Sequence, residues 1–339
     1  MLYTTTRNKT DFYTVYRALY DDRAPDGGFY VPFRKLELDQ AKVEAITDQS
    51  FNTAVAQILE LFFPGRITQW DVDCSIGKAA AHISSMPHRV LLAKLWNNPE
   101  GDISYIFDAL NKKLCREEPR NAIADWTRLS IRIAVLFGLY AILKQMGIRQ
   151  FDISVNSGDF NAPMAAWYAR KMGLPIGMII CSCNENSTPW DFIHRGELNT
   201  GATVISTVTK ELDVGNPVGM ERLIYESFGV DEVKKYLSVC EKRGIYQIRP
   251  DMLNQINKGL FASVIGNDRV ESVISSVYRA NQCVLDPYTA VSYGSLQDYR
   301  SKTGESCPTI LMSEKSPMHF ASVVQNATGI CDIKKLNQL

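Results

Sequence analysis

Apolar residues recur along the middle of the chain with the two periods that distinguish helices from strands. Residues 123–146 show the period of one long buried helix, and the apolar run at residues 151–155 predicts a strand. A helix covering residues 164–172 comes next, and a second strand is expected at residues 176–183. A strand, a helix and a strand at this spacing predict a βαβ unit in which the two strands are adjacent and parallel.

Further periodic segments continue this alternation toward the end of the chain. Helices are expected at about residues 219–228, 231–243, 251–264 and 268–281, a strand at residues 309–312, and a final helix near the end. An additional strand-like run begins at Val90. Together these elements predict an α/β protein with a mostly parallel sheet.

The composition argues against several classes of function. The 339 residues include 37 basic and 37 acidic side chains, so the net charge of zero gives no electrostatic reason to expect a nucleic-acid partner. The most apolar stretch, residues 131–143, is interrupted by Arg132 and is too short to span a membrane. Because residues 1–13 lack the apolar centre of a signal peptide, a cytoplasmic location is expected.

No arrangement of cysteine or histidine indicates a metal site. The eight cysteines and four histidines are scattered, and only Cys181 and Cys183 are close, on a predicted strand that directs both side chains to one face. No second pair lies near them in the sequence to complete a zinc site. Buried free thiols are therefore expected, and no metal is predicted.

One loop has a composition suited to chemistry. The residues between the strand predicted at 151–155 and the next helix are Ser157, Gly158, Asp159, Phe160, Asn161 and Ala162. Such a loop turns consecutive backbone N–H groups toward one point at a helix N-terminus, where phosphate groups bind in many α/β proteins. A turn of small residues is also a common structural connection, so spacing alone leaves both interpretations open.

Six segments, read in order, resemble the threonine synthase family. The first combines residues 3–7 (YTTTR) with 24–32 (APDGGFYVP), and the others are residues 121–128 (NAIADWTR), 155–175, 184–186 (NEN), 285–291 (LDPYTAV) and 313–320 (SEKSPMHF). Threonine synthases are pyridoxal-phosphate enzymes of fold type II. The resemblance implies their large-domain fold. It also implies descent from a carbon–oxygen lyase that eliminates phosphate from phosphohomoserine and adds water.

The same resemblance identifies a missing catalytic group. In the family a lysine forms the Schiff base with the cofactor and then moves protons. The matching position holds Ser104, and no lysine lies between Lys94 and Lys112. A serine hydroxyl cannot form an imine.

The resemblance also implies that a domain is reduced. In the family a smaller domain follows the lysine and contains the motif SGDTG, which holds the substrate carboxylate. Here only about twenty residues separate Ser104 from Asn121, too few for a domain. The resemblance therefore implies a threonine-synthase-like N-terminal region at residues 1–88 and a large domain at residues 89–339. The smaller domain is reduced to a segment at about 97–120.

The remaining cofactor contacts differ from the family as well. The family's phosphate loop and ring-nitrogen contact correspond to Ser157, Gly158, Asp159, Phe160, Asn161, Ser313 and Glu314. Asp159 places a carboxylate where the phosphate would bind, and two anions about 4 Å apart repel by roughly 1–4 kcal/mol. We expect this carboxylate to accept the N–H groups of its own loop, as an N-cap residue does. No cofactor is therefore expected, and pyridoxal phosphate is implied by resemblance only.

Three functions are compatible with this pattern. The first is a pseudoenzyme that does not make threonine but binds a small amino-acid or phosphate-bearing ligand, or serves as a regulatory partner of another protein or as a homo-oligomer. The second is an enzyme with new chemistry, independent of pyridoxal phosphate. Its candidate groups in the remnant cleft are Ser313, Asp159, Glu314, Lys315 and His319. The third is an active lyase acting on phosphohomoserine-like substrates, in which Lys94, Lys112 or Lys113 reaches the cofactor.

Overall fold

The structure is a computed structural model that describes residues 1–34, 36–77, 81–98, 100–116 and 122–330 of the chain. The strands are β1 (Tyr3–Thr5), β2 (Tyr30–Pro32), β3 (His82–Met86), β4 (Val90–Lys94), β5 (Phe151–Asn156), β6 (Ile176–Cys183), β7 (Glu197–Asn199), β8 (Ile245–Gln247), β9 (Leu260–Val264) and β10 (Thr309–Ser313). The helices are α1 (Val15–Tyr20), α2 (Gln40–Thr47), α3 (Phe51–Phe62), α4 (Gln69–Ile76), α5 (Ser104–Leu114), α6 (Asp125–Gln145), α7 (Asn161–Lys171), α8 (Thr188–Arg195), α9 (Met220–Phe228), α10 (Val230–Arg243), α11 (Pro250–Asn257), α12 (Asn267–Asn281), α13 (Pro287–Thr303) and α14 (Ala321–Thr328). Two short 3₁₀ turns lie at Lys210–Leu212 and Pro317–Phe320.

Six strands form the central sheet in the order β3–β4–β10–β5–β6–β9. Neighbouring strands are parallel, except that β3 is antiparallel to β4. Strands β5 and β6 are adjacent and parallel, and α7 connects them, so the predicted βαβ arrangement is confirmed. The predicted α/β class with a mostly parallel sheet is confirmed with it.

The prediction of one helix at residues 251–264 is wrong in its second half. Helix α11 ends at Asn257, and the residues that follow form β9 at the edge of the sheet, paired with β6. Gly259 interrupts the helical period, and Leu260 and Ala262 are then buried with the two-residue period of a strand. A short apolar run fits either period, and pairing with β6 decides between them.

Helix α13 is absent from the sequence-based prediction. Its buried face contains small polar residues and glycine, such as Ser292 and Gly294, so the apolar period is weak. The signal that could have found it is the N-cap: Asp286 Oδ1 accepts the backbone N–H groups of Tyr288 and Thr289 at 2.9 and 3.1 Å. The proline that follows Asp286 is also typical of a first helical position.

The N-terminal region shares a hairpin with the main sheet. Strands β3 and β4 are joined by a turn in which His88 and Arg89 have positive φ values of 60° and 58°. Two consecutive residues in this conformation are typical of the tight turns that join antiparallel strands. The domain boundary predicted after residue 88 falls inside this turn, so the N-terminal region contributes β3 to the central sheet.

Helix α5 occupies the segment where the smaller domain is expected to be reduced. It packs against α4 and α6, and Ile106 and Leu110 are fully buried in the main core. The backbone N–H of Ile103, just before the helix, donates to the carbonyl of Glu314 at 2.7 Å. The segment is therefore attached to the residues that follow β10. Residues 117–120 of the predicted segment lie outside the described residues.

Helix α6 lies at the centre of the core. It is long and apolar enough to cross a membrane, but 83% of its apolar window is buried inside the protein. It packs against α3 and α7. Such burial is typical of a core helix, and Arg132 is a charged residue near its middle.

Candidate functional site

A polar cleft of about 280 Å³ opens at the carboxyl ends of β5 and β10. In parallel sheets this edge is where ligands bind, because the loops that follow the strands converge there. The side chains and backbone that line it are those of Arg128, Arg132, Asn156, Gly158, Asp159, Asn161, Ala162, Glu211, Leu212, Tyr288, Met312, Glu314 and Lys315. We refer to this cavity as the cleft.

The Asp159 side chain accepts two hydrogen bonds within the loop between β5 and α7. Asp159 Oδ1 accepts the backbone N–H of Asn161 at 2.9 Å, and Oδ2 accepts the Asn161 side-chain amide, also at 2.9 Å. Phe160 adopts the left-handed conformation with φ of 67°, and its side chain is fully buried. The Ser157 hydroxyl is also buried and donates to the Ser182 carbonyl at 2.8 Å. The Asp159 carboxylate thus accepts the loop's N–H group, as the sequence predicts.

The 3₁₀ turn Lys210–Leu212 covers this loop from outside. The Glu211 carbonyl oxygen lies 2.6 Å from the point that a Cβ atom on Gly158 would occupy. The turn is held in place because the Glu211 N–H donates to the Tyr288 hydroxyl at 3.1 Å, and because Leu212 is buried. Glycine at position 158 is therefore required by a close backbone approach.

Two ion pairs cross the cleft. Arg132 on α6 pairs with Glu314 after β10, and Lys315 pairs with Glu211 on the covering turn. The Arg132 side chain is only 16% exposed. Burial lowers the pKa of Arg132, but the Glu314 carboxylate raises it further, so the net pKa lies above the ordinary arginine value. Arg128 also lines the cleft, and its guanidinium makes no ion pair or hydrogen bond with any described residue.

Ser104, which the sequence resemblance predicts at the position of the family's lysine, is the first residue of α5 and is exposed. Its hydroxyl donates to the Asp102 carboxylate, and its backbone N–H donates to the same group at 2.8 Å. His319 is exposed as well, with Nε2 3.2 Å from the Gly101 carbonyl oxygen. Neither Ser104 nor His319 lines the cleft.

Ser313 lies buried at the end of β10. Its hydroxyl receives a hydrogen bond from Trp96 Nε1 and donates to Asp286 Oδ2, each at 3.3 Å. Burial raises the pKa of Asp286, although four hydrogen-bond donors around the carboxylate lower it in part. Ser313 thus links β10 to the N-terminus of α13.

The three lysines proposed as substitutes lie elsewhere. Lys94 Nζ is 5.5 Å from the centre of the Trp96 ring. Lys113 Nζ is 3.6 Å from an Asp71 oxygen on α4, and Lys112 is exposed. None of the three lines the cleft.

The structure therefore brings together part of the predicted site. Asp159, Glu314 and Lys315 line one cleft with Gly158 and Asn161, whereas Ser157, Phe160 and Ser313 are buried beside it. The sequence-based candidates did not include the charged lining residues Arg128, Arg132 and Glu211, nor Tyr288. The available signal was a pair of arginines four residues apart in an otherwise apolar helix, since such residues share one face.

The described residues also define the thiols and the metal-binding potential. No group of three or more His, Cys, Asp or Glu side chains within them is arranged to hold a metal ion. Cys181 and Cys183 are free and fully buried on β6, and burial raises the pKa of Cys183 to about 12. Cys74, in contrast, is an exposed thiol.

The parallel sheet, the β5–α7 loop and the cleft at the strand ends define a fold type II pyridoxal-phosphate enzyme fold. The structure is similar to that of threonine synthase from Brucella melitensis, solved with bound pyridoxal phosphate, at a TM-score of 0.85 and 17% identity. That match covers 100% of this chain and 94% of the other. Yeast threonine synthase matches over the same shares of both chains, with a TM-score of 0.86 and 17% identity.

Sequence comparisons agree with this class. Residues 2–80 match the family described as "Threonine synthase N terminus". Human threonine synthase-like 1 is 25% identical over 218 residues, which are 62% of this chain and 29% of that protein. Threonine synthase from Pseudomonas aeruginosa is 25% identical over 210 residues, which are 60% of this chain and 43% of that enzyme. The matches thus span less than half the length of these two relatives. The chain is thus similar to threonine synthases in sequence and in fold.

Proposed function

We propose that this threonine-synthase-like protein forms no Schiff base with pyridoxal phosphate, makes no threonine, and uses its cleft to bind a small zwitterionic ligand. One observation above all supports the proposal. Lys94, Lys112 and Lys113 do not line the cleft, and Ser104, which we infer to replace the family's lysine, is hydrogen-bonded to Asp102. Lys315, which does line the cleft, is paired with Glu211. We expect the protein to act in the cytoplasm.

The cleft residues do not fit the cofactor's phosphate group. The Asp159 carboxylate accepts the N–H of Asn161, which a phosphate would need as a donor. The carbonyl oxygen of Glu211 approaches Gly158 closely, adding a second acceptor where donors are required. The Asp159 carboxylate and the Glu211 carbonyl oxygen would therefore both repel a phosphate dianion bound at this loop.

The charges of the cleft fit a zwitterion instead. Three cationic side chains and three carboxylates line it, so its formal charge is zero; they are Arg128, Arg132, Lys315, Asp159, Glu211 and Glu314. Arg128 has no ion-pair or hydrogen-bond partner among the described residues, and a ligand carboxylate can therefore take both of its forked N–H donors. Asp159 and Glu211 offer acceptors for an ammonium group. An amino acid carries both a carboxylate and an ammonium group and is small enough for a cavity of about 280 Å³.

New catalysis in the cleft receives less support. Glu314 and Lys315 are engaged in ion pairs, and His319 lies outside the lining residues. General acid–base catalysis needs a group that can reach a substrate proton and change its protonation state. The arrangement therefore favours binding over acid–base catalysis.

No lysine should be labelled when the protein is mixed with pyridoxal phosphate and reduced with borohydride. The reason is that none of the lysines at 94, 112 or 113 lines the cleft, and that Lys315, which does line it, is paired with Glu211. Peptide mass spectrometry reads the result, and yeast threonine synthase treated in parallel provides the positive control. Stoichiometric modification of one lysine, with an absorbance band that requires that lysine, would refute the proposal.

Calorimetric titration with L-threonine should detect binding that depends on Arg128. Replacing Arg128 by glutamine removes the forked cation, and we expect the affinity to fall about fivefold, the loss of one charge-assisted contact of roughly 1 kcal/mol. The matched control is Arg243→Gln, an exposed arginine at the end of α10. Equal affinities for the unmodified protein and Arg128→Gln would contradict the binding mode.

A further inference from the structure

A second cavity lies on the opposite end of α7 from the cleft. It has a volume of about 380 Å³ and is formed by the segment after β2 together with α7 and α9. Its lining consists of Thr4, Lys9, Pro32, Phe33, Arg34, Leu36, Glu37, Tyr168, Lys171, Tyr225 and Glu226. We call it the N-terminal pocket. Asn161 of the cleft and Lys171 of the pocket are ten residues apart on one helix, a distance of roughly 15 Å.

Three cationic side chains surround this pocket. Lys9, Arg34 and Lys171 all line it, and none makes an ion pair with another described residue. Lys9 Nζ lies 5.4 Å from the centre of the Tyr225 ring, which orients it at the wall of the cavity. Three cations around one cavity form a site of positive potential for an anion.

A half-buried carboxylate forms the inner wall of the pocket. Glu226 Oε1 accepts the hydroxyl of the buried Tyr168 at 2.9 Å, and Oε2 has no hydrogen-bond partner among the described residues. Burial raises the pKa of Glu226, while the Tyr168 hydrogen bond and the charges of Lys171 and Lys9 oppose that rise. One oxygen of this carboxylate thus remains available to a donor that enters the pocket.

We propose that the N-terminal pocket is a second ligand site, distinct from the cleft, that binds a phosphomonoester bearing an ammonium or hydroxyl group. The phosphate lies among Lys9, Arg34 and Lys171, and the donor group binds Glu226 Oε2. The exposed ring of Phe33 and that of Tyr225 flank the carbon atoms between them. With Glu37 and Glu226 also present, the lining keeps a formal charge of +1, which suits a net anion.

The proposal is tested by calorimetric titration of the full chain with phosphoethanolamine and, separately, with inorganic phosphate. The unmodified protein should bind phosphoethanolamine more tightly than phosphate, because only the former carries an ammonium group for Glu226. The double variant Lys9→Gln/Lys171→Gln should bind both at least about fivefold more weakly, since it loses two charge contacts. Glu226→Gln should bring the affinity for phosphoethanolamine down toward that for phosphate.

Matched controls distinguish binding in the N-terminal pocket from nonspecific attraction to positive charge on the surface. Lys242→Gln/Lys258→Gln removes the same charge from exposed positions on α10 and after α11, and it should leave both affinities unchanged. Thermal unfolding verifies that each variant is folded. If the double variant is not folded, Arg34→Gln replaces it as the test of the pocket's cations. The proposal is overturned if the unmodified protein binds neither probe, or if the control double variant weakens binding equally. It is also overturned if Arg128→Gln, in the cleft, abolishes phosphate binding.

Discussion

Replacing Arg222 by methionine is expected to lower the free energy of unfolding by about 3–5 kcal/mol. Arg222 on α9 is completely buried and pairs with Asp125, in the first turn of α6. Its guanidinium also lies 4.2 Å from the centre of the Phe29 ring and 3.5 Å from the carbonyl oxygen of Tyr30. Methionine fills similar space but leaves the Asp125 carboxylate buried without its countercharge, and that unpaired charge is the source of the cost.

Urea denaturation followed by circular dichroism measures this loss, and the chain provides a matched control. Arg249 pairs with Asp251 in the same way, but both side chains are exposed, by 61% and 70%. Solvent screens such a pair, so Arg249→Met should leave the unfolding midpoint unchanged within error. If the two substitutions shift the midpoint equally, the buried pair does not stabilise the fold and this explanation fails.

The buried pair also explains how the N-terminal region is attached. Arg222 connects α9 with α6 and with the carbonyl of Tyr30 on β2. Close by, Arg7 makes two hydrogen bonds with Glu221 at 3.1 and 2.9 Å. Both interactions join residues of the sequence segments that resemble threonine synthases to α9, which has no recognisable motif. The loss of either should loosen the N-terminal region before the central sheet.

Local patterns were sufficient to predict the centre of the fold. Strands β5 and β6 are apolar runs on either side of a helix, and their pairing follows from the short connection. The edge strand β9 was mistaken for helix because it contains only five residues, and two periods fit so few positions. Helix α13 escaped prediction because small residues fill its buried face. These errors occur where tertiary packing decides the structure.

The site was less predictable than the fold for a related reason. The β5–α7 loop is local, and its composition identified Gly158 and Asp159 directly. The ion pair between Arg132 and Glu314 joins residues 182 positions apart, and no local pattern specifies it. The covering turn at Glu211 likewise reaches the loop only through the folded chain. The pairing of opposite charges within the cleft therefore depends on the tertiary structure and could not be predicted from local sequence.

Replacing Asp159 by asparagine is expected to raise the affinity of the cleft for inorganic phosphate about tenfold. Asn161 N–H donates to Asp159 Oδ1, and the amide oxygen of asparagine can accept the same bond, so the backbone of the loop and the start of α7 should keep their geometry. The bond from the Asn161 side-chain amide to Oδ2 is lost, because an NH₂ group takes the place of that oxygen. The substitution removes one negative charge beside Arg128 and Arg132. At about 4 Å, that charge repels a bound anion by roughly 1–4 kcal/mol, and 1.4 kcal/mol corresponds to the tenfold change.

The measurement must exclude phosphate bound in the N-terminal pocket. Calorimetric titrations are therefore made in the Lys9→Gln/Lys171→Gln background, with and without Asp159→Asn, and with Asp251→Asn as an exposed control of equal charge. The affinity for L-threonine should change in the opposite direction. Asp159→Asn removes a carboxylate that can accept a hydrogen bond from the ammonium group, so L-threonine should bind more weakly. Phosphate binding that is equal or tighter with Asp159 intact would mean that this carboxylate does not exclude phosphate from the loop. The family's phosphate site would then have to be considered open.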